Sequence, residues 1–132
     1  MTEIVVPIIA WLQTTPLLWA LIILMALDIT SGIARSIGLG KLSSNLMLKG
    51  LMRKAAELIV VGMAGLFDPY TGDVPLSKLV TMAFMVAEGL SILENAVLLG
   101  VPVPKLLLDA LLKLKTPSTK AQDVIERAKP KD

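Results

Sequence analysis

Neither cysteine nor histidine occurs anywhere in this chain of 132 residues. Without cysteine the chain has no disulfide and no thiolate nucleophile, and without histidine it has no imidazole base. The usual zinc ligands are missing for the same reason. These absences disfavour most enzyme chemistries, and we expect a protein that is not an enzyme and binds no cofactor or metal.

Aromatic residues are scarce, with two Trp, two Phe and one Tyr, and the formal net charge is only +2. Such a chain has no aromatic platform for stacking bases, so no nucleic-acid partner is expected. Apolar residues, by contrast, are abundant: 55% of the chain is hydrophobic, 18% is charged and the mean hydropathy is +0.74. Because long stretches carry no charge at all, the composition favours a single-domain integral membrane protein over a soluble domain.

The pattern of apolar segments predicts an all-α membrane domain over residues 16–115. Its transmembrane helices are predicted at about 16–37, 46–67 and 79–99, each long enough to cross a hydrocarbon core of roughly 30 Å. The middle span is the weakest, because its apolar part is short and contains Glu57. It can cross only if basic side chains near its start extend to the headgroups, namely Lys49, Arg53 and Lys54. Whether residues 55–67 cross fully is left open.

The segments flanking these spans have a different character. Residues 1–15 are too short to cross and are interrupted by Pro7, so they are predicted to lie at the membrane interface. Residues 104–115 are predicted to form an amphipathic helix on the membrane surface, where Lys105, Asp109 and Lys113 recur every four residues. Residues 116–132 are predicted to be a basic, polar helical tail on the cytoplasmic side.

Basic residues orient the predicted helices. Five of them lie between Asp28 and Glu57, with no acidic residue among them. Because Lys and Arg in short loops stay on the cytoplasmic side, the first loop is predicted to be inside and the second loop, 68–75, outside. The start of the chain, which has no Lys or Arg before Arg35, and the basic tail then predict an external N-terminus and an internal C-terminus. Three spans satisfy these constraints, whereas two spans would put both termini on one side.

Polar residues form stripes on these apolar helices. Asp28, Ser31, Gly32 and Arg35 lie on one face of the first span, within about 60° of Asp28. Two interpretations stay open: the stripe lies at the membrane edge with Arg35 extended to the headgroups, or it faces another helix or a water path. Glu57 has the same two interpretations, with Lys54 one turn earlier as a possible charge partner.

The third span contains the densest polar stretch, Glu88 to Asn95. Glu88, Ser91 and Asn95 share an arc of about 60°, whereas Glu94 lies about 120° away from Glu88. A charge at the bilayer centre costs about 2.5 to 3.5 kcal/mol on insertion scales, so these groups are expected to face helices or water. We therefore predict helix-contact or pore-lining roles for Glu88, Glu94, Asn95 and Ser91, with Asp28 and Arg35 completing the polar network.

The order of these motifs resembles the toxin-secretion and phage-lysis holins, the type 4 phage holin family. The main match is E-x-x-S-I-x-E-N at 88–95, followed by G-x-P-x-P at 100–104 and an amphipathic helix. Supporting matches are Asp28 with Gly32, the run Leu42-Ser43-Ser44, and Gly50 with Lys54. The resemblance covers about residues 24–115 and does not extend to either end of the chain.

The resemblance implies a multi-pass protein of the host bacterial inner membrane, of phage or prophage origin. Such a protein would associate with copies of itself in the lipid bilayer and permeabilise the membrane at a set time. An endolysin, as functional partner, would then reach the peptidoglycan; in some relatives a toxin is exported instead. Two alternatives stay open, a proton-coupled transporter using Glu88 and a non-conducting anchor for a soluble partner.

Overall fold

The computed structural model describes residues 1–3, 5–6 and 15–115, and its elements are helical. Helix α1 is Pro16–Gly38, α2 is Ser44–Phe67, α3 is Leu76–Leu98 and α4 is Lys105–Lys115, with a short 3-10 turn at Asp68–Tyr70. The described residues contain no β-strand, so the all-α prediction is confirmed. Most of the predicted interfacial segment, 1–15, and the whole predicted tail, 116–132, lie outside the described residues.

Helices α1 and α3 end in the same way, which explains where both turns begin. After α1, Gly40 adopts a left-handed φ of +66°, and after α3, Gly100 does the same with a φ of +84°. In each case the amide of the residue after the glycine donates a hydrogen bond back to the last turn of the helix. Lys41 N–H donates to the Ser36 carbonyl at 2.9 Å, and Val101 N–H donates to the Ala96 carbonyl at 3.0 Å. Both ends are therefore glycine-terminated Schellman motifs.

The three long helices form an up-down-up bundle in which α1 and α3 make the most extensive contact. These two helices run parallel, since Leu18 and Thr81 line one groove near their starts and Gly38 meets Leu99 near their ends. Helix α2 runs in the opposite direction and packs more on α3 than on α1.

Buried residues divide the bundle into two halves. The half near the start of α1 has an apolar cluster of Leu18, Leu21, Met25 and Val61. The half near the end of α1 has buried polar side chains, of which Asp28, Lys54, Glu88 and Asn95 are each less than 10% exposed. Apolar side chains also cover much of the outer surface, as at Ile59 and Leu66 on α2, which are 72% and 76% exposed. This distribution suits a lipid solvent rather than water.

Two helices, Pro16–Gly38 and Leu76–Leu98, are long and apolar enough to cross a membrane by themselves. The middle predicted span, α2, does not meet this criterion, so two of the three predicted spans are supported and the crossing of α2 stays a prediction. Helix α2 has 24 residues, which is long enough, but its four charged side chains lower its apolar character: Lys49, Arg53, Lys54 and Glu57. Helix α2 is thus long enough to cross a membrane but not apolar enough. Only its packing against α1 and α3 could make a third crossing favourable.

Helix α4 follows the proline-rich break and contacts α3. Its bounds differ by one residue from the predicted 104–115. Lys105 and Lys113 are exposed and Asp109 is half-buried, while Leu106 is 83% exposed. Exposed charges and an exposed leucine on one short helix are what an interfacial location requires, and that location stays a prediction.

Candidate functional site: a buried polar network between three helices

The centre of the polar half is Lys54, whose ammonium group joins all three long helices. Lys54 Nζ, on α2, lies 2.7 Å from Asp28 Oδ2 on α1 and also donates to Glu88 Oε2 on α3. The side chains of Lys54, Asp28 and Glu88 are 5%, 10% and 1% exposed. Since removing charges from water is costly, three such groups can be buried together only because they are paired.

Asn95, on α3, extends the network along α1. Its amide nitrogen donates to Ser31 Oγ at 3.0 Å and more weakly to Asp28 Oδ1 at 3.4 Å, while its oxygen accepts from Arg35 Nη1 at 3.1 Å. Gly32 makes room for this amide: a Cβ at that position would lie 3.7 Å from Asn95 Nδ2. The predicted α1 stripe therefore faces another helix of the same chain.

The charges of the network are balanced when Arg35 is counted with it. Asp28 and Glu88 contribute two negative charges, and Lys54 and Arg35 contribute two positive ones. Arg35 reaches this set through the neutral amide of Asn95 rather than through a carboxylate. Among the described residues it forms no ion pair, unlike Lys54.

Glu57 lies one turn beyond Lys54 on α2 but pairs elsewhere. Its Oε1 is 3.5 Å from Nε of Arg53, whose own side chain is 63% exposed. The other carboxylate oxygen, Oε2, is buried without a hydrogen-bond partner among the described residues. The possible pairing of Lys54 with Glu57 is not among the ion pairs of the described residues, because Lys54 binds two carboxylates from the other helices.

Glu94 and Ser91 lie outside the hydrogen-bonded set. Glu94 is exposed on α3, turned away from Glu88, and forms no ion pair within the described residues. Ser91 is half-buried and lines a cleft beside the network. Pore-lining and helix-contact roles for these two residues stay predictions.

Lys54 is the residue that sequence reasoning placed wrongly. It was expected to extend to the headgroups, yet it lies about ten residues, or roughly 15 Å, along α2, which is beyond the reach of one lysine side chain from the helix end. The sequence holds only part of the signal: Asp28 and Glu88 are two acids in apolar helices and need a cation, but helical spacing does not say which basic residue supplies it.

The fold and site define a helical protein with apolar outer surfaces and an internally paired polar network, as expected of a membrane protein. A family model described as the bacteriophage holin family matches residues 8–116. The chain therefore belongs to the bacteriophage holin family, which is not an enzyme family. The match extends the resemblance deduced from residues 24–115 in both directions.

Several bacterial proteins that are named as uncharacterised are similar to this chain. One from Clostridium perfringens is 33% identical over 96 residues, covering 71% of each chain. One from Listeria monocytogenes is 37% identical over 93 residues, covering 70% of this chain and 66% of the relative. One from Halalkalibacterium halodurans is 33% identical over 114 residues, covering 82% and 84%. No solved structure matches the chain.

Proposed function

We propose that this protein is a phage holin that assembles with copies of itself in the host cell membrane. At a set time the assembly permeabilises that membrane, so that an endolysin reaches the peptidoglycan and the cell lyses, or a toxin leaves. The family match supports the class of protein. The observation that carries the mechanism is the Lys54 bridge, which closes a polar interior inside three otherwise lipid-compatible helices.

The bridge suggests how one chain could have both a closed and an open arrangement. In the closed arrangement, Lys54 holds α2 against α1 and α3, and the polar groups satisfy one another. In the open arrangement, α2 separates from the α1–α3 pair, and the same groups line water or a neighbouring copy. Both arrangements hide the charges from lipid, so the free-energy difference between them can be small and can depend on copy number.

The proposed membrane topology has three crossings, with the N-terminus outside and the C-terminus inside the cell. Helices α1 and α3 meet the requirement for spanning by their own apolar character. Helix α2 would cross as their partner, since its Lys54 charge is neutralised by their carboxylates rather than exposed to lipid. The basic residues between α1 and the centre of α2 favour the cytoplasmic side for that connection.

Expression in a bacterium with and without a cytoplasmic endolysin tests this function. We expect an abrupt loss of membrane potential in both cultures at the same time after induction, and a fall in turbidity only when the endolysin is present. Proton flux that depends on an added substrate, without dye leakage from liposomes, would instead indicate a transporter. Unchanged membrane potential in both cultures would contradict a holin and favour a non-conducting anchor.

A further inference from the structure

A cleft of about 540 Å³ opens between the second half of α1 and the first half of α2. It lies beside the polar network, on the side away from the apolar cluster. Apolar side chains from both helices form much of its wall, including Ile29 and Ile33 from α1 and Leu46 and Leu51 from α2. A cavity of this size is large enough for the polar headgroup of a phospholipid, with apolar walls along which an acyl chain can lie.

The same cleft is lined by cationic groups that lack a strong partner. Arg35 is half-buried there, and its one hydrogen bond to a described side chain goes to the neutral oxygen of Asn95. A guanidinium has five N–H donors, so most of the donors of Arg35 are not used by this hydrogen bond. Arg53 also lines the cleft; its ion pair with Glu57 is long, at 3.5 Å, and the Arg53 side chain itself is 63% exposed, so its guanidinium keeps donors for a further partner.

Within the described part of the chain, no carboxylate that lines the cleft is left unpaired. Asp28, its acidic lining residue, is already bonded to Lys54 and Asn95. The chain from Arg35 to Lys54 contains basic residues and no acidic one. Arg35 therefore presents to the cleft guanidinium donors that no carboxylate of the described residues uses, and planar guanidinium groups are well suited to phosphate.

We propose that this cleft binds the phosphate headgroup of an anionic phospholipid, with Arg35 and Arg53 as its ligands. The apolar walls favour a lipid over a free phosphate ion, because they are contiguous with the surface that faces the acyl chains. Basic pockets between membrane helices are a general means of binding acidic headgroups. The inference rests on the membrane insertion proposed for α2, but not on lesion formation.

Native mass spectrometry of the detergent-solubilised full chain can measure this binding directly. Phosphatidylglycerol is added at increasing concentration, and phosphatidylcholine with the same acyl chains is the neutral comparison. We expect one phosphatidylglycerol to bind per chain at least fivefold more tightly than phosphatidylcholine. Equal binding of the two lipids would overturn the proposal, as would saturation by inorganic phosphate alone at the same concentrations.

Substitutions then locate the site. Arg35→Gln should weaken phosphatidylglycerol binding about five- to tenfold, since one basic group near an acidic membrane surface contributes about that much. Lys41→Gln is the matched control, because it removes the same charge from an exposed position that does not line the cleft. Equal losses in the two variants would show nonspecific surface attraction and overturn the site.

Two further variants keep the result interpretable if Arg35→Gln disturbs the Asn95 contact. Arg53→Gln changes an exposed side chain and should weaken lipid binding two- to fivefold without affecting the fold. Arg35→Lys keeps the charge but loses the planar set of donors, so it should bind more tightly than Arg35→Gln and more weakly than the unmodified chain. Full binding by Arg53→Gln, or binding by Arg35→Lys that is no tighter than by Arg35→Gln, would contradict a headgroup held by two cations. Because lipid binding is measured without lysis, a negative result here leaves the proposed function separately testable.

Discussion

The two halves of the bundle are held together by different kinds of contact. In one half, Leu21, Met25 and Val61 pack as an ordinary apolar cluster. In the other half, Lys54 from α2 is clamped between carboxylates on α1 and α3. In water the apolar half would dominate stability. In a bilayer, an apolar side chain gains little free energy by moving from contact with lipid tails into the bundle interior. Helix association there depends on close packing and polar contacts.

This difference shows where specificity lies in a membrane-embedded bundle. The apolar half could tolerate many relative positions of the helices, because lipid tails can replace any lost contact. The polar half allows few relative positions of the helices, because Asp28, Lys54 and Glu88 must meet at one depth or remain unpaired in a low-dielectric medium. The polar network therefore sets the register of α2 against α1 and α3.

Replacement of Lys54 should have the largest effect. Lys54→Met leaves two carboxylates buried without their cation, and breaking such a pair costs about 3 to 5 kcal/mol. The free energy of unfolding can be measured by titrating the micelle-embedded protein with sodium dodecyl sulfate. Lys49→Met, an exposed lysine on the same helix, is the matched control and should change little.

A rescue experiment sharpens the result for Lys54. Adding Asp28→Asn and Glu88→Gln to Lys54→Met removes the stranded charges, and replacing a whole buried ion set by neutral groups is often nearly neutral. The triple variant should therefore recover most of the lost stability. A triple variant less stable than Lys54→Met alone would show that packing, not charge pairing, holds α2 in place.

Replacement of Asn95 should cause the second-largest loss in the free energy of unfolding. Asn95→Ala removes the group that joins Ser31, Asp28 and Arg35, and hydrogen bonds of this kind contribute about 1 to 3 kcal/mol. Asn45→Ala, at an exposed position near the start of α2, serves as the control. In the same titration, the loss in free energy of unfolding for Asn95→Ala should lie between that for Lys54→Met and that for the control. An equal loss for Asn95→Ala and Asn45→Ala would show that Asn95 does not stabilise the network.

Substitutions in the apolar half should lower the free energy of unfolding less than those in the polar half. Leu21→Ala empties a fully buried position, which in water-surrounded cores costs about 2 to 5 kcal/mol. In a bilayer the transfer contribution is largely absent, so a loss of about 1 kcal/mol is expected. Ile23→Ala, on the exposed side of α1, is the comparison. If Leu21→Ala costs more than Lys54→Met, the ranking of the two halves is reversed.

The smallest effect concerns Asp68, which lies in the turn outside both halves. Its Oδ1 accepts from the Ser77 backbone N–H at 2.9 Å and its Oδ2 accepts from the Ser77 hydroxyl, which together cap the start of α3. These hydrogen bonds lower the pKa of Asp68. A carboxyl with a lowered folded-state pKa stabilises the fold above its ordinary pKa of about 3.9, and the effect disappears as the pH falls through the folded value.

Amide exchange at Ser77 can therefore test this cap. Protection should persist at neutral pH, begin to decline as the pH falls below the ordinary carboxyl pKa, and disappear once the folded carboxyl is protonated at a lower pH. Asp68→Asn should remove the pH dependence, whereas Asp73→Asn, at an exposed position in the same loop, should leave it intact. A pH-independent protection in the unmodified chain would contradict the cap.

Much of the fold and part of the site follow from the sequence alone. The all-α class and the ends of α1 and α3 are predictable because glycine and proline mark them and apolar runs fill the helices. The stripe of Asp28, Ser31 and Arg35 is likewise visible from helical spacing. Spacing also separates Glu94 from Glu88, but it cannot tell which of the two carboxylates faces the bundle.

The partner of the buried acids could not be predicted, for a physical reason. Helical periodicity relates residues within one helix, whereas the Lys54 contacts join positions 26 and 34 residues apart in sequence. Those contacts depend on the relative depth of three helices, which a local pattern does not specify. Local reasoning therefore offered only the near neighbour Glu57 as a possible partner of Lys54, whereas the tertiary contacts join Lys54 to Asp28 and Glu88.

The most direct test of the account compares two glutamates on one helix, using the same substitution. Glu88→Gln alters the Lys54 bridge, while Glu94→Gln changes an exposed carboxylate six positions away. We predict that Glu88→Gln lowers the free energy of unfolding and shifts the time at which membrane potential is lost after induction. Glu94→Gln should leave the free energy of unfolding of the single chain unchanged. Equal free energies of unfolding for the two variants, with unaltered lysis times, would contradict a central role for the buried network.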